Sequence, residues 1–128
     1  MYNPYFNLPE ISFVGGEYNP YRFNLKNTEG GEFDAGGETE LYFSVRRYDD
    51  RGGEPLFTES MEILSEGDGI YDIAEVILAP NRTVNLHGVF VYQISLRHTA
   101  PDTGEVRIRI PGQGILKIKQ NIYPGFIT

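Results

Sequence analysis

From Gly88 to Leu96 the chain runs Gly-Val-Phe-Val-Tyr-Gln-Ile-Ser-Leu. Successive side chains of an extended backbone point to opposite faces. Phe90, Tyr92, Ile94 and Leu96 therefore share one face, and Val89, Val91, Gln93 and Ser95 the other. Large apolar groups on one side, with small or polar groups on the other, predict a strand in the middle of a sheet. No segment repeats apolar residues at i, i+3, i+4 and i+7 over three turns, so no long helix is expected to cover that face. Other strands must do so.

The remaining apolar runs have the same character. Residues 11–14 predict a short first strand closed by Gly15-Gly16, and Tyr21, Phe23 and Leu25 alternate with Arg22, Asn24 and Lys26. Residues 27–37 carry little that is apolar except Phe33 and predict a long turn. Residues 39–48 form the next strand, with Leu41, Phe43 and Val45 on one face and Tyr42, Ser44 and Arg46 on the other. Asp49-Asp50-Arg51-Gly52-Gly53 is a turn by composition. Pro55 is excluded from a central ladder position, so the strand over residues 56–64 should begin at an edge. A strand over residues 70–78 follows, and then one helical turn over residues 81–86 with Pro80 or Asn81 near its start. Pro101-Asp102-Thr103-Gly104 predicts a hairpin turn. Residues 106–110 and 115–119 are expected as separate strands, divided by Pro111-Gly112-Gln113-Gly114. The pattern predicts an immunoglobulin-like β-sandwich of seven to eight antiparallel strands, as one domain over residues 1–128.

Composition limits what such a domain does. A chain of 128 residues can bury roughly two-thirds of its unfolded surface, enough for one core without a metal or a disulfide. It contains no cysteine, which excludes a disulfide framework and any cysteine-based zinc site. A formal net charge of −7 argues against nucleic acid and anionic membranes, where lysine and arginine must replace counterions. The N-terminus, Met1-Tyr2-Asn3-Pro4-Tyr5-Phe6, has neither a basic nor an apolar signal region. No apolar run approaches the ~20 residues that span a bilayer.

Catalytic signatures are missing. His87 and His98 are the only histidines and lack the H-x-x-x-H or H-x-H spacing of metal ligands. Glu66, Asp68 and Asp72 could approach one Ca²⁺, but the closing glutamate of an EF-hand loop is absent. Glu59 and Glu62 lie an odd number of residues apart, on opposite faces of one strand. No G-x-S-x-G elbow is present, and Gly15-Gly16 and Gly36-Gly37 lack the continuation of a phosphate loop. A non-enzymatic protein without cofactor or metal is expected.

Two features suggest a surface that binds. Tyr2, Tyr5, Phe6 and Leu8 precede the first strand, and Tyr123, Phe126 and Ile127 follow the last. Chain ends are ordinarily polar and frayed, so these apolar arms either fold back on the sandwich or cover a neighbouring chain. The composition also includes nine Tyr, eight Phe and no Trp. Exposed rings at Tyr18, Tyr21, Tyr42 and Tyr48 would suit stacking on sugars, although core packing accounts for many such rings equally well.

A frame of motifs runs through the chain: Gly15-Gly16-Glu17, Phe23-Asn24-Leu25, Phe33-Asp34, Glu40-Leu41-Tyr42-Phe43-Ser44-Val45, Ile77-Leu78-Ala79-Pro80 and Thr83-Val84-Asn85-Leu86-His87-Gly88. Tyr92-Gln93-Ile94-Ser95-Leu96, Gly104-Glu105-Val106 and Gly112-Gln113-Gly114-Ile115-Leu116-Lys117-Ile118 complete it. Over about residues 10–122 this frame resembles the N-terminal immunoglobulin-like domain family of phage baseplate upper proteins. The resemblance implies a non-catalytic tail or baseplate protein of a phage or prophage, assembled in the host cytoplasm. It further implies a homo-oligomer that docks onto other tail proteins, without nucleic acid or membrane insertion. Family members continue into a longer receptor-binding-protein anchor, whereas this chain stops at Thr128, which implies a stand-alone version. The alternative is a carbohydrate-binding or cell-surface adhesion domain. Against the Asp-x-Gly-x-Tyr-x-Cys corner of immunoglobulin domains, Phe90 stands for the tyrosine and Tyr92 for the cysteine, so packing is expected to hold the sheets.

Overall fold

The structure is a computed structural model that describes residues 6–24, 38–49, 52, 54–65, 71–100 and 103–126. The expected loop over residues 27–37 lies outside the described residues. Among the described residues there are seven strands: β1 (Ile11–Val14), β2 (Pro20–Asn24), β3 (Glu38–Arg47), β4 (Phe57–Ser65), β5 (Tyr71–Ile77), β6 (Gly88–Thr99) and β7 (Val106–Lys119). One helical turn, α1 (Pro80–Thr83), joins β5 to β6 with proline in its first turn, and a 3₁₀ turn (Pro124–Phe126) follows β7.

The strands form one curled sheet in the order β1-β7-β6-β3-β4-β5-β2. Strand β6 lies inside it, flanked by β7 and β3. Its Phe90, Tyr92 and Ile94 are fully buried and Leu96 nearly so, as the alternation in the sequence requires. Leu41, Phe43 and Val45 of β3 meet them on the same face. β4 changes partners along its length: residues through Met61 pair with β3, and Glu62 onward with β5. This handover bends the sheet into a half-barrel. Phe23 of β2 reaches the rings of Phe43 (6.2 Å) and Tyr92 (5.5 Å) across the interior. The curl brings the two outermost strands together, with the Phe13 ring of β1 5.8 Å from that of Tyr21 on β2.

Two expectations need correction. The sheet is not purely antiparallel, because β1 runs parallel to β7, from Ile11 opposite Leu116 to Val14 opposite Lys119. Ile11 and Phe13 thereby join Leu116 and Ile118 in the core. The second correction concerns residues 111–114, which are not a break between two strands. β7 is continuous over 14 residues. Pro111 sits where its missing N–H is not needed by β6, and its carbonyl on the outer side accepts from Asn7 Nδ2 (2.9 Å). Gly112 and Gly114 are there for space. A Cβ on Gly112 would lie 2.4 Å from the Asn7 side chain, and one on Gly114 would lie 2.5 Å from the Tyr92 ring.

Candidate interaction surface

Beyond β7 the chain builds a small aromatic platform. Asn121 fixes it: Nδ2 donates to the Gly15 carbonyl (2.7 Å), while Oδ1 accepts the Tyr123 N–H (2.7 Å). The Phe126 N–H then bonds to the Tyr123 carbonyl (3.1 Å), closing the 3₁₀ turn. This local ladder lays the Tyr123 and Phe126 rings together, 5.9 Å apart and within 10° of parallel. Each residue is 69% exposed, and Ile122 beside them is 95% exposed. Gly16 and Glu17 complete the rim of a shallow depression with Asn121, Tyr123 and Phe126.

The base of this platform is rigidly tied. Gly15 donates to the Lys119 carbonyl (3.0 Å), and Gly16 N–H donates to Thr83 Oγ1 (2.9 Å) on the fully buried side chain of α1. Glu17 turns back to accept the Val14 N–H (2.6 Å). The exposed rings therefore stand on hydrogen-bonded backbone.

Among the described residues of the two apolar arms, Leu8 lies apart from Tyr123 and Phe126. Leu8 is buried in the core cluster, and its N–H bonds to the Gln113 carbonyl (3.0 Å) halfway along β7. Phe6 is half-buried. Tyr123 and Phe126 lie past the far end of β7, and Tyr2, Tyr5 and Ile127 fall outside the described residues. The four tyrosines considered for sugar stacking are also dispersed. Tyr18 and Tyr48 are exposed, whereas Tyr21 and Tyr42 are half-buried. Burial pushes the Tyr21 phenol up, against a hydrogen bond with Asn19 that lowers it.

The histidines and carboxylates are spread likewise. His87 is exposed, and His98 Nδ1 lies 2.8 Å from Thr39 Oγ1. Glu59 pairs with Arg82. Glu66 and Asp68 lie outside the described residues. Among the described residues no three His, Cys, Asp or Glu side chains are grouped to hold a metal ion. A depression on the outer face, lined by Ser44, Arg46, Pro55, Val91, Gln93 and Gln113, has a self-satisfied polar floor. Gln113 Nε2 donates to Gln93 Oε1 (2.7 Å), and Gln93 Nε2 donates to Ser95 Oγ (2.9 Å).

One apolar surface was not anticipated from sequence. Val106, Ile108 and Ile110 at the start of β7 are 52%, 70% and 42% exposed. Their alternation suggests an inward face, but a bulge turns them out. Ile94 stands opposite Gly112, yet Leu96 stands opposite Arg109, so β7 carries one extra residue between these pairs. The side chains that share β6's buried face change from even-numbered to odd-numbered positions across the bulge. Nothing in the sequence marks that step except Pro111 in mid-strand.

No family model matches the chain, and neither does any curated protein. Among solved structures, it is similar to AggA, the major subunit of aggregative adherence fimbriae type I from Escherichia coli, at 9% sequence identity and a TM-score of 0.33. That match covers 88% of this chain and 91% of the fimbrial subunit. A likeness of that size carries no argument about fold or function.

Proposed function

We propose that the chain is a non-catalytic protein–protein interaction module of a phage or prophage tail, built on an immunoglobulin-like sandwich. The observation that carries the interaction role is the Ile122, Tyr123 and Phe126 platform, whose rings are exposed while their backbone is pinned by Asn121. Large apolar side chains held out on ordered backbone suit a protein contact, where aromatic anchors contribute most of the binding energy. The sandwich assignment draws on Phe23 packing over Phe43 and Tyr92, which sets β2 across the core from β3 and β6. The tail assignment draws on the motif frame over about residues 10–122.

Multi-angle light scattering on the full chain and on a Tyr123→Ser/Phe126→Ser double variant tests the interface. The full chain should self-associate and the variant should be monomeric; two monomers reject self-association through the platform. Immunogold labelling of particles from a lysogen carrying the gene should mark tails, and unlabelled tails reject the virion assignment. The near-parallel rings also favour a second reading, because a flat aromatic pair offers a stacking face for a sugar ring. Glycan-array binding that disappears in the same double variant would establish that alternative.

A further inference from the structure

Among the described residues, the start of β7 has a ladder neighbour on one side only. Ala100 N–H donates to the Glu105 carbonyl (2.9 Å), which fixes the phase of the β6–β7 ladder. Hydrogen-bonded and non-hydrogen-bonded pairs alternate in an antiparallel ladder. Arg107, opposite His98, and Arg109, opposite Leu96, therefore bond to β6. Val106, opposite Thr99, and Ile108, opposite Arg97, turn their backbone N–H and C=O away from it.

Further along, that outer side is covered. Asn7 Nδ2 bonds to the Pro111 carbonyl, Asn7 Oδ1 accepts the Gln113 N–H (3.1 Å), Leu8 pairs with Gln113, and β1 covers residues 116–119. Over residues 106–110 the edge has no strand beside it among the described residues. Protected edges carry lysine, proline or inward charge. This one alternates Arg107 and Arg109 with exposed β-branched Val106, Ile108 and Ile110, so it repels a strand of like charge but suits a β-rich strand of opposite charge.

Charge decides what fits. A second copy paired antiparallel about Ile108 would set Arg107 of each copy opposite Arg109 of the other on one face, and like charges directly across strands destabilise. An acidic strand meets no such obstacle. Arg109 has no carboxylate partner among the described residues, and Arg107 has only the exposed Glu105 at 3.7 Å, a weak pair. We propose that residues 106–110 of β7 receive an extended acidic segment of a partner protein as an added strand. Its carboxylates lie over Arg107 and Arg109, and its alternate apolar side chains lie beside Val106, Ile108 and Ile110. This surface is separate from the Tyr123–Phe126 platform, at the other end of a strand about 45 Å long at ~3.3 Å per residue.

The test is an amide-resolved NMR titration of the full chain with two capped heptapeptides, valine alternating with glutamate and valine alternating with lysine. The glutamate peptide should shift the amides of residues 106–110 and bind at least about ten-fold tighter than the lysine peptide, with an advantage that shrinks as salt is raised. An Arg107→Glu/Arg109→Glu variant, both sites being exposed, should keep a folded spectrum and reverse the preference. Equal binding of both peptides, shifts confined to other strands, no binding of either, or an unreversed preference overturns the proposal. A variant that loses its folded spectrum is replaced by Arg109→Gln, which should lower the ten-fold preference toward parity; an unchanged preference is again a refutation.

Discussion

Tyr92 makes two kinds of tertiary contact from one position. Its ring stacks on Phe43 at 5.0 Å, and its hydroxyl donates to the Pro9 carbonyl (2.6 Å), tying β6 to the segment that leads into β1. Burial holds the phenol far above its ordinary value. The folded state thus keeps the proton, whereas the unfolded chain releases it near pH 10. Its contribution is complete below about pH 10 and falls as pH rises further, because the unfolded state then binds fewer protons. Tyr92→Phe should cost about 1 kcal/mol at neutral pH through the lost hydrogen bond, and its stability should decline less steeply than the parent's above pH 10. Urea unfolding at pH 8 and pH 10.5 measures both; parallel declines would show that the Tyr92 proton is not linked to folding. The inward direction of Tyr92 was legible in the sequence from its alternation with Phe90 and Ile94. Its bond to Pro9, 83 residues away, was not, since no periodicity encodes a partner that distant.

At the scale of the element, β7 shows where local rules mislead. Pro111-Gly112-Gln113-Gly114 has the composition of a turn, and turn chemistry predicts one. Tertiary packing overrides it, because the Tyr92 ring occupies the space beside Gly114 and the Asn7–Leu8 segment crosses beside Gly112. Gly114→Ala should therefore destabilise by about 1–3 kcal/mol, as overpacking against a fixed ring does. Chemical denaturation measures it; a change near zero would mean that the ring shifts freely. The bulge was hidden for a related reason. The alternation Val106, Ile108, Ile110 is a sound strand signal, but which way it faces depends on an extra residue counted only against β6. That ambiguity fell on the candidate acidic-strand site. Tyr123 and Phe126 were legible as unusual apolar residues near the terminus, though not their stacking.

For the molecule as a whole, the sequence supported an all-β chain with a central strand at β6, because alternation and turn residues act locally. It did not reveal the order of the strands or the parallel pair, which depend on partners as far apart as Ile11 and Leu116. The strand order leaves β1 and β2 outermost, each with a single ladder neighbour among the described residues. Local opening should follow that order. Amide exchange should be slowest in β6 and β3, and faster by about ten-fold or more in β1 and β2; equal protection of β1 and β6 would refute this.

The parallel pairing of β1 with β7 also sets a schedule for synthesis. A ribosome finishes β1 long before it makes the strand that β1 must lie beside, so during that interval Ile11 and Phe13 have no ladder to join. Strands β3, β4 and β5 can pair as successive hairpins, and β6 can add beside β3, while translation continues, but the half-barrel can take in its first strand only after its last has emerged. Until then, the side of β7 later covered by Leu8 and β1 is open along its whole length, and the nascent chain is most exposed to pairing with a wrong strand just before folding is complete.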